Sequence, residues 1–507
     1  MTIEFKFTKI YDILITVYFL FKKFNSGRYS SGQREQTVNL LVLPSQVRIL
    51  PGPPFFATVL RHSDYATARG YKWHGLRSLG EERHRQNFKK NMNILQDLKY
   101  RGLIYQMTDE NDLQKRLEQG QVILYCGFDP SADSLQLGNL LQILILKRFQ
   151  NAGHKPIALV GGATGLIGDP SGKAEERKLN SEKIVKAWSK KLKKQLEKFL
   201  YFKGNNKAQI VNNYEWLNKI KIIEYLRDIG KNFSINEMLA KESMKSRLEK
   251  GISFTEFNYM ILQSIDFLEL YKNYNCELQI GGSDQWGNIT TGADLIRKVL
   301  NKKAFALTAP LITKSDGTKF GKTESGTIWL DSEKTSAYEF YQFWINTIDA
   351  DVIKFIKAFT FLEKNEIEKL EQEVKNNPEK RIAQKKLAQI MTKLVHGEKE
   401  VKKSEKISQI LFKGDIKKLR ENEIEQTFKN IPSFENNQTN SSLIDLLVST
   451  KIIFSKRQAR EDVENGAVYI NGEKCNNLEK QISKDDFLCK KYLIIRKGKK
   501  KYYLIKW

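Results

Sequence analysis

Cysteine is scarce in this 507-residue chain: Cys126, Cys276, Cys475 and Cys489 lie far apart, and none belongs to a CxxC pair. Neither a disulfide framework nor a cysteine metal site is implied, and the usage fits a reducing cytosol. Long apolar runs are lacking as well. The best stretch, residues 10–21 (IYDILITVYFLF), is interrupted by Asp12 and falls short of the ~20 residues that a membrane helix needs. Proline is sparse, ten in all, yet four of the ten crowd into LPSQVRILPGPPFF at 43–56 and break any regular element there. The rest of the composition is that of a soluble globular chain, 40% hydrophobic and 28% charged, long enough for three or more folding units.

What the chain has in excess is positive charge, +26 in total, unevenly spread. Residues 1–91 carry 15 Lys/Arg against 6 Asp/Glu, and the remainder 70 against 53. A surface of this sign attracts polyanions, although a Lys-rich composition that serves only solubility is the alternative. Between residues 24 and 86 there are eight Arg and one Lys, the reverse of the Lys-rich remainder, and three of the five histidines (His62, His74 and His84) fall there. Three readings compete for this atypical extension at 1–91. A transit peptide should avoid acids, and Glu4, Asp12 and Glu35 count against it. A folded accessory unit is poorly patterned. We favour an upstream open frame, disordered or absent from the native protein, joined to a gene that starts at Met92. QVRIL is what the common T-arm segment of a tRNA gene yields in one frame.

From Met92 the pattern is regular. Strands are expected at 122–128, 155–162, 209–213 and 278–282, alternating with helices near 139–150, 181–200, 220–229, 255–272 and 285–299. Such alternation implies an α/β fold with a parallel sheet and a ligand site at the strand C-terminal ends. Residues 335–400 are helical by period, and NIPSFENNQTNSS (430–442) reads as a polar linker. The expected layout is an α/β domain at 92–330, a helical domain at 331–428, a linker at 429–442 and a small, basic α+β domain at 443–507.

Four stretches carry chemistry. YCGFDPSADSLQLGN places small polar residues between a strand end and a helix start, where backbone N–H groups face a phosphate. GGATGLIGDPSGK (161–173) is a second such turn, but it lacks the Walker spacing. It is either a tight packing turn or a close approach to a nucleotide, with Asp169 for an ammonium and Lys173 and Arg177 for phosphate. In TEFNYMILQSIDFLELY (255–271), Tyr259, Gln263 and Asp266 share one helix face. Polar stripes usually face water, yet this one is bordered by apolar residues and would need a polar ligand if buried. KSDGTKFGKTESG (314–326) is a Lys/Gly loop with Phe320 as its apolar anchor, either a plain surface loop or one that closes on a phosphate chain.

With these blocks in order, joined by IGGSDQWGNIT and KFGKTESGTIWLD, the chain from Met92 onward resembles the bacterial-type tyrosyl-tRNA synthetases, class I aminoacyl-tRNA synthetases. The resemblance implies a Rossmann-like class I catalytic domain, a helical anticodon-side domain and a small C-terminal RNA-binding domain. It implies tyrosine activation by ATP, with Mg²⁺ arriving with the nucleotide and no prosthetic group or protein-bound metal, followed by transfer to tRNA(Tyr). By motif position, Tyr125 and Asp266 would bond the substrate phenol. Asp169, Tyr259 and Gln263, with Gln285, would hold its amino and carboxylate end. Gly127, Asp129, Gly138, Gly281, Asp284 and Lys322 would line the ATP. Lys173, Arg177, Lys319, Lys322 and Thr323 would grip the departing pyrophosphate. SKRQAREDVENGAVYINGE (455–473) resembles a small RNA-binding motif of a ribosomal protein, with Ser455, Lys456, Arg457 and Arg460 toward RNA; a solvated basic helix is the plain alternative. The family further implies a cytoplasmic homodimer.

One element departs from the family. Where its members carry two histidines that donate to the ATP phosphates, this chain reads Gln136-Leu137-Gly138-Asn139. Asn139 can still donate through its amide, whereas Gln136 is longer and less rigidly aimed. Two rivals follow: a catalytically weak paralogue that keeps RNA binding, and a tryptophan enzyme of related fold. The intact phenol-binding set argues against the first, and Tyr125 with Asp266 against the second.

Overall fold

The computed structural model describes residues 93–171, 179–242, 244–245, 251–317, 320–323, 326–429, 431–436, 441–498 and 501–507, with Lys322 and Thr323 by backbone alone. The extension expected at 1–91 lies outside the described residues. The central sheet comprises β1 (Gln106–Met107), β2 (Ile123–Phe128), β3 (Lys155–Val160), β4 (Gln209–Asn212), β5 (Cys276–Gly282) and β6 (Phe305–Ala309), in the order β1-β6-β5-β2-β3-β4. β6, β5, β2, β3 and β4 run parallel, and β1 is antiparallel on β6. Runs such as KPIALV show no alternation because helices cover both faces of the sheet. Sequence pattern anticipated β2 to β5 but not β6 or the two-residue β1, so the expected parallel sheet is a mixed one.

Five helices frame this sheet: α1 (Ile94–Tyr100), α2 (Leu137–Asn151), α3 (Glu182–Leu196), α4 (Phe254–Tyr274) and α5 (Trp286–Leu300). Ser253 caps α4 by accepting from the Glu256 N–H, and left-handed Asn275 and Asn301 end α4 and α5. The helix expected at 220–229 is instead a succession of α, π and 3-10 turns over Ile222–Asn232.

The next segment is helical throughout: α6 (Ala337–Ile345), α7 (Asp349–Phe359), α8 (Lys364–Asn376), α9 (Ile382–His396) and α10 (Glu398–Lys413). The C-terminal unit holds α11 (Leu443–Ser449), α12 (Lys456–Glu464), a two-stranded pair of Ser441–Ser442 with Gln481–Ile482, and a sheet of five strands: β7 (Ser433–Glu435), β8 (Val468–Ile470), β9 (Glu473–Lys474), β10 (Tyr492–Lys497) and β11 (Lys501–Lys506). Their order is β9-β8-β10-β11-β7. The stretch read as a linker therefore supplies a strand, β7, which pairs in parallel with β11. Three residues are too few to show a period, and only the pairing partner makes them a strand. Among the described residues, no helix is long and apolar enough to cross a membrane.

A buried ion cluster fastens the catalytic layer to the helical segment. Asp97 accepts from Arg101 Nε at 2.7 Å and from Arg148 Nη1 at 3.2 Å, and all three side chains are buried. Arg101 also donates to the carbonyls of Lys357, Thr360 and Leu362, and Arg148 donates to that of Thr360, where α7 has just ended. Burial and the neighbouring Arg101 lower the Arg148 pKa to about 9. Removing the single carboxylate would strand two buried cations. Asp97→Ala should therefore cost about 3–5 kcal/mol in urea unfolding; a loss below about 1 kcal/mol would show that the carbonyls alone hold the arginines.

Candidate active site

Strand order reverses between β2 and β5, and the crevice beyond their C-terminal ends is where open α/β sheets hold ligands. Asp129 follows β2 directly. Its Oδ1 accepts from Thr164 Oγ1 at 2.7 Å and its Oδ2 from the Tyr259 hydroxyl at 2.7 Å. Thr164 Oγ1 in turn accepts from Asn213 Nδ2 at 2.9 Å. That same amide group donates to Asp266 Oδ2 at 2.9 Å, while Trp216 Nε1 donates to Asp266 Oδ1 at 2.8 Å. One continuous polar chain thus links the end of β2, the turn after β3, the end of β4 and helix α4. Gly161 makes it possible, because a Cβ there would stand 1.8 Å from Asp129 Oδ1 and 2.4 Å from Thr164 Oγ1. At this glycine, then, the turn is a packing turn.

At the inner end of the chain, Tyr125 on β2 is 1% exposed, and its ring lies 5.3 Å from that of Phe267. Its hydroxyl is buried without a hydrogen-bond partner among the described residues. Burial, and then the charge of Asp266, push its pKa well above the ordinary phenol value. Burial likewise raises Asp266 to about 8, against the opposing hydrogen bonds from Asn213 and Trp216. An unpartnered hydroxyl beside a carboxyl held in place by two donors is a site made for one more polar group.

Towards the mouth, Asp169 Oδ2 accepts from Gln285 Nε2 at 2.6 Å and its Oδ1 accepts from the Ser171 N–H at 2.9 Å. Asn288 Nδ2 donates to Gln263 Oε1 at 3.0 Å and to Gln285 Oε1 at 3.3 Å, which turns both amide NH₂ groups the other way. Tyr259, Gln263 and Asp266 do share the inner face of α4, each tied to a different strand end or helix. Gly281 closes the far wall, since a Cβ there would meet Ile289 at 2.9 Å. Asp284 follows in a single 3-10 turn that ends at Gln285. A cavity of about 270 Å³, lined by Asp129, Gly168, Asp169, Asn180 and Trp188 among others, opens beside these groups.

Gln136 is the exposed N-cap residue of α2, and Asn139 Oδ1 accepts from its backbone N–H at 3.1 Å. The cap consumes the oxygen of the Asn139 amide and leaves its NH₂ as the half that can donate. Gly138 is helical and solvent-facing, with nothing within 4 Å of where a Cβ would stand, while at Gly127 on β2, also exposed, a Cβ would lie 3.8 Å from Leu159. The segment is held from two sides. Gln195 on α3 accepts from the Leu135 N–H at 2.8 Å, and the Leu330 N–H donates to the Leu135 carbonyl at 2.9 Å. Phe320, which anchors the Lys/Gly loop, sits in an aromatic cage 4.8 Å from Phe355, 5.1 Å from Phe359 and 5.7 Å from Trp344. Lys173, Arg177 and Lys319 lie outside the described residues, and the backbone of Lys322–Thr323 pairs with Gly326–Thr327.

In the C-terminal unit, Ser455 caps α12 by accepting from the Gln458 N–H at 3.2 Å. Lys456 forms an ion pair with Asp445 at 2.7 Å, while Arg457 and Arg460 are exposed. Sequence reasoning missed Thr164, Asn213, Trp216, Asn288 and Gln195. Asn213 alone had a signal, the Asn-Asn pair at the end of a parallel strand; the others depend on partners remote in sequence. Among the described residues, no group of three or more His, Cys, Asp or Glu side chains could hold a metal ion.

Comparison with known proteins agrees with this geometry. The family described as tRNA synthetases class I (W and Y) matches residues 117–413, and the tyrosine–tRNA ligase SYY-like C-terminal domain matches residues 423–505. The chain is 59% identical over 418 residues, 82% of its length, to the whole of the tyrosine–tRNA ligases of Bacillus caldotenax and Geobacillus stearothermophilus. A C-terminally truncated Aspergillus nidulans mitochondrial tyrosyl-tRNA synthetase superposes with a TM-score of 0.58 at 31% identity, covering 66% of this chain and 100% of that one.

The raised pKa of Asp266 makes a stability prediction. Between about pH 4 and about pH 8 the folded chain holds a proton that the unfolded chain has released. Stability therefore falls as pH rises through this window, by at most about 1.4 kcal/mol per pH unit. In urea unfolding at pH 5 to 8, Asp266→Asn should remove that slope relative to the parent; equal slopes would return the carboxyl to its ordinary range.

Proposed function

Because the chain belongs to the class I tRNA synthetase family that serves tryptophan and tyrosine, and acts there as a tyrosine–tRNA ligase, we propose that the crevice between β2 and β5 activates tyrosine through the residues described above. The reaction has two steps. The tyrosine carboxylate attacks the α-phosphate of ATP to give tyrosyl-adenylate and pyrophosphate; a ribose hydroxyl at the tRNA 3′ end then takes the tyrosyl group and AMP leaves. Support for a phenol ligand comes chiefly from one observation, the unpartnered buried hydroxyl of Tyr125 beside Asp266. In this reading the substrate hydroxyl takes up that hydrogen bond and donates to Asp266, an arrangement that suits a phenol and not an indole.

Asp169, Tyr259 and Gln263 hold the ammonium, and Gln285 orients Asp169. Gly127, Gly138 and Gly281 admit the adenylate to the backbone, with Asp129 and Asp284 beside it. Gln136, Asn139, Lys173, Arg177, Lys319, Lys322 and Thr323 face the β- and γ-phosphates of the Mg²⁺-bound ATP. No general base is required. The rate comes from alignment and from donors aimed at developing phosphate charge. Ser455, Lys456, Arg457 and Arg460 position the tRNA backbone, with residues 92–330 as the catalytic domain, 331–428 helical and 443–507 RNA-binding.

The decisive experiment is tyrosine-dependent exchange of pyrophosphate into ATP, followed by charging of tRNA(Tyr); no exchange with tyrosine would overturn the reading. Loss of one well-aimed donor in such a site costs about 10²–10³ in rate. Gln136 partly fills the role, so Gln136→His should raise exchange by less than that, with tyrosine affinity unchanged. An equal or lower rate would show that Gln136 is already well aimed.

We assign a cytoplasmic homodimer. In support, Ile222, Ile223, Leu226, Ile235 and Phe254 are exposed, at 55% or more each, around one small core near FSINEMLA (233–240). Leu226→Glu combined with Ile223→Glu should halve the mass seen by light scattering; an unchanged mass would place the interface elsewhere.

A further inference from the structure

We propose that Phe454 is a stacking platform for an unpaired base of the tRNA, flanked by phosphate contacts from Arg457 and Arg460. The proposal rests on the RNA-binding reading of α12 and adds to it a contact that carries no charge.

Phe454 is 89% exposed, among the most exposed large apolar side chains described. Its exposure is imposed by the fold. The two residues before it, Ile452 and Ile453, are 5% and 1% exposed and belong to the C-terminal core, and the Ile453 N–H donates to the Leu447 carbonyl at 3.0 Å. The residue after it, Ser455, is committed to capping α12. With both neighbours anchored, the Phe454 side chain leaves the core between them and contributes nothing to it. Lys451, Phe454, Lys456, Arg457 and Arg460 are all exposed within ten residues, and Arg457 and Arg460 form no ion pair among the described residues. The acids around this group are Asp445, which Lys456 engages and whose pKa Arg460 also helps to lower, and, on α12, Glu461, Glu464 and Asp462, the last paired with Lys497.

An aromatic ring set among exposed cations, of which Arg457 and Arg460 form no ion pair among the described residues, matches single-stranded nucleic acid. The ring takes the face of a base, the cations take the flanking phosphates, and stacking tolerates any base. A protein partner would leave Arg457 and Arg460 to find acidic groups of its own, and charge complementarity therefore favours RNA.

Three variants of the full chain test the idea in tRNA charging. Phe454→Ala should raise the KM for tRNA on the order of 10-fold to 100-fold, and Phe454→Trp should restore it. Because no charge is removed, the slope of log KM against log salt should not change in Phe454→Ala, whereas Arg457→Gln should flatten it by roughly 0.7–0.9. Unfolding and pyrophosphate exchange, measured on the same preparations, report whether the fold and the catalytic unit are intact. A parental KM in Phe454→Ala, with Arg457→Gln impaired, would overturn the stacking role and leave the RNA-binding reading standing. A KM unaffected by both would overturn both.

Discussion

The site depends on one hydrogen-bonded chain, Tyr259–Asp129–Thr164–Asn213–Asp266–Trp216, which runs through the crevice between the ends of β2, β3 and β4 and the face of α4. A buried carboxylate must be hydrogen-bonded to stay where it is. The buried carboxyl group of Asp266 and the partly buried one of Asp129 are each bonded on both oxygens by groups from other elements. The chain thereby sets the distance between the ends of β2, β3 and β4 and the face of α4. It also explains the glycine after β3, since any side chain would occupy the space of the Asp129 carboxylate.

A second constraint acts behind the site. Asp97, Arg101 and Arg148 join α1 and the far end of α2 to the carbonyls that follow α7. Gln136 caps α2, so the helix that carries the Gln136–Asn139 segment is held at its distal end by the same cluster that seats the helical segment. The aromatic cage around Phe320 does the same for the Lys/Gly loop. The helical segment is therefore the support against which the start of α2 and the Phe320 anchor are held.

Against this scaffold the Gln136-Leu137-Gly138-Asn139 segment forms a capped helix start. The Asn139 oxygen is spent on the helix cap, which leaves its NH₂ to donate, and the surface over Gly138 is open. Gln136 and Gly138 are the segment's exposed members, and the Gln136 backbone is bridged to Trp329.

The sequence by itself determined the family and the α/β alternation, and its motif blocks named Asp129, Asp169, Tyr259, Gln263, Asp266 and Gln285, which the fold brings to one crevice. Those residues sit in contiguous blocks whose local spacing already carries their meaning, as with Tyr259, Gln263 and Asp266 on one helical face. Only the tertiary structure decided what the blocks are bonded to. Asn213 and Trp216 reach Asp266 across about fifty residues, and Arg148 reaches Thr360 across 212. The strands β1 and β7 become strands only through partners at β6 and β11. The same division holds at Phe454, where the sequence shows an aromatic residue beside basic ones and the fold decides that two isoleucines turn inward while the phenylalanine is left in water. Local periodicity is written in neighbouring residues; the satisfaction of a buried charge or an edge strand depends on which distant atoms the chain brings to it.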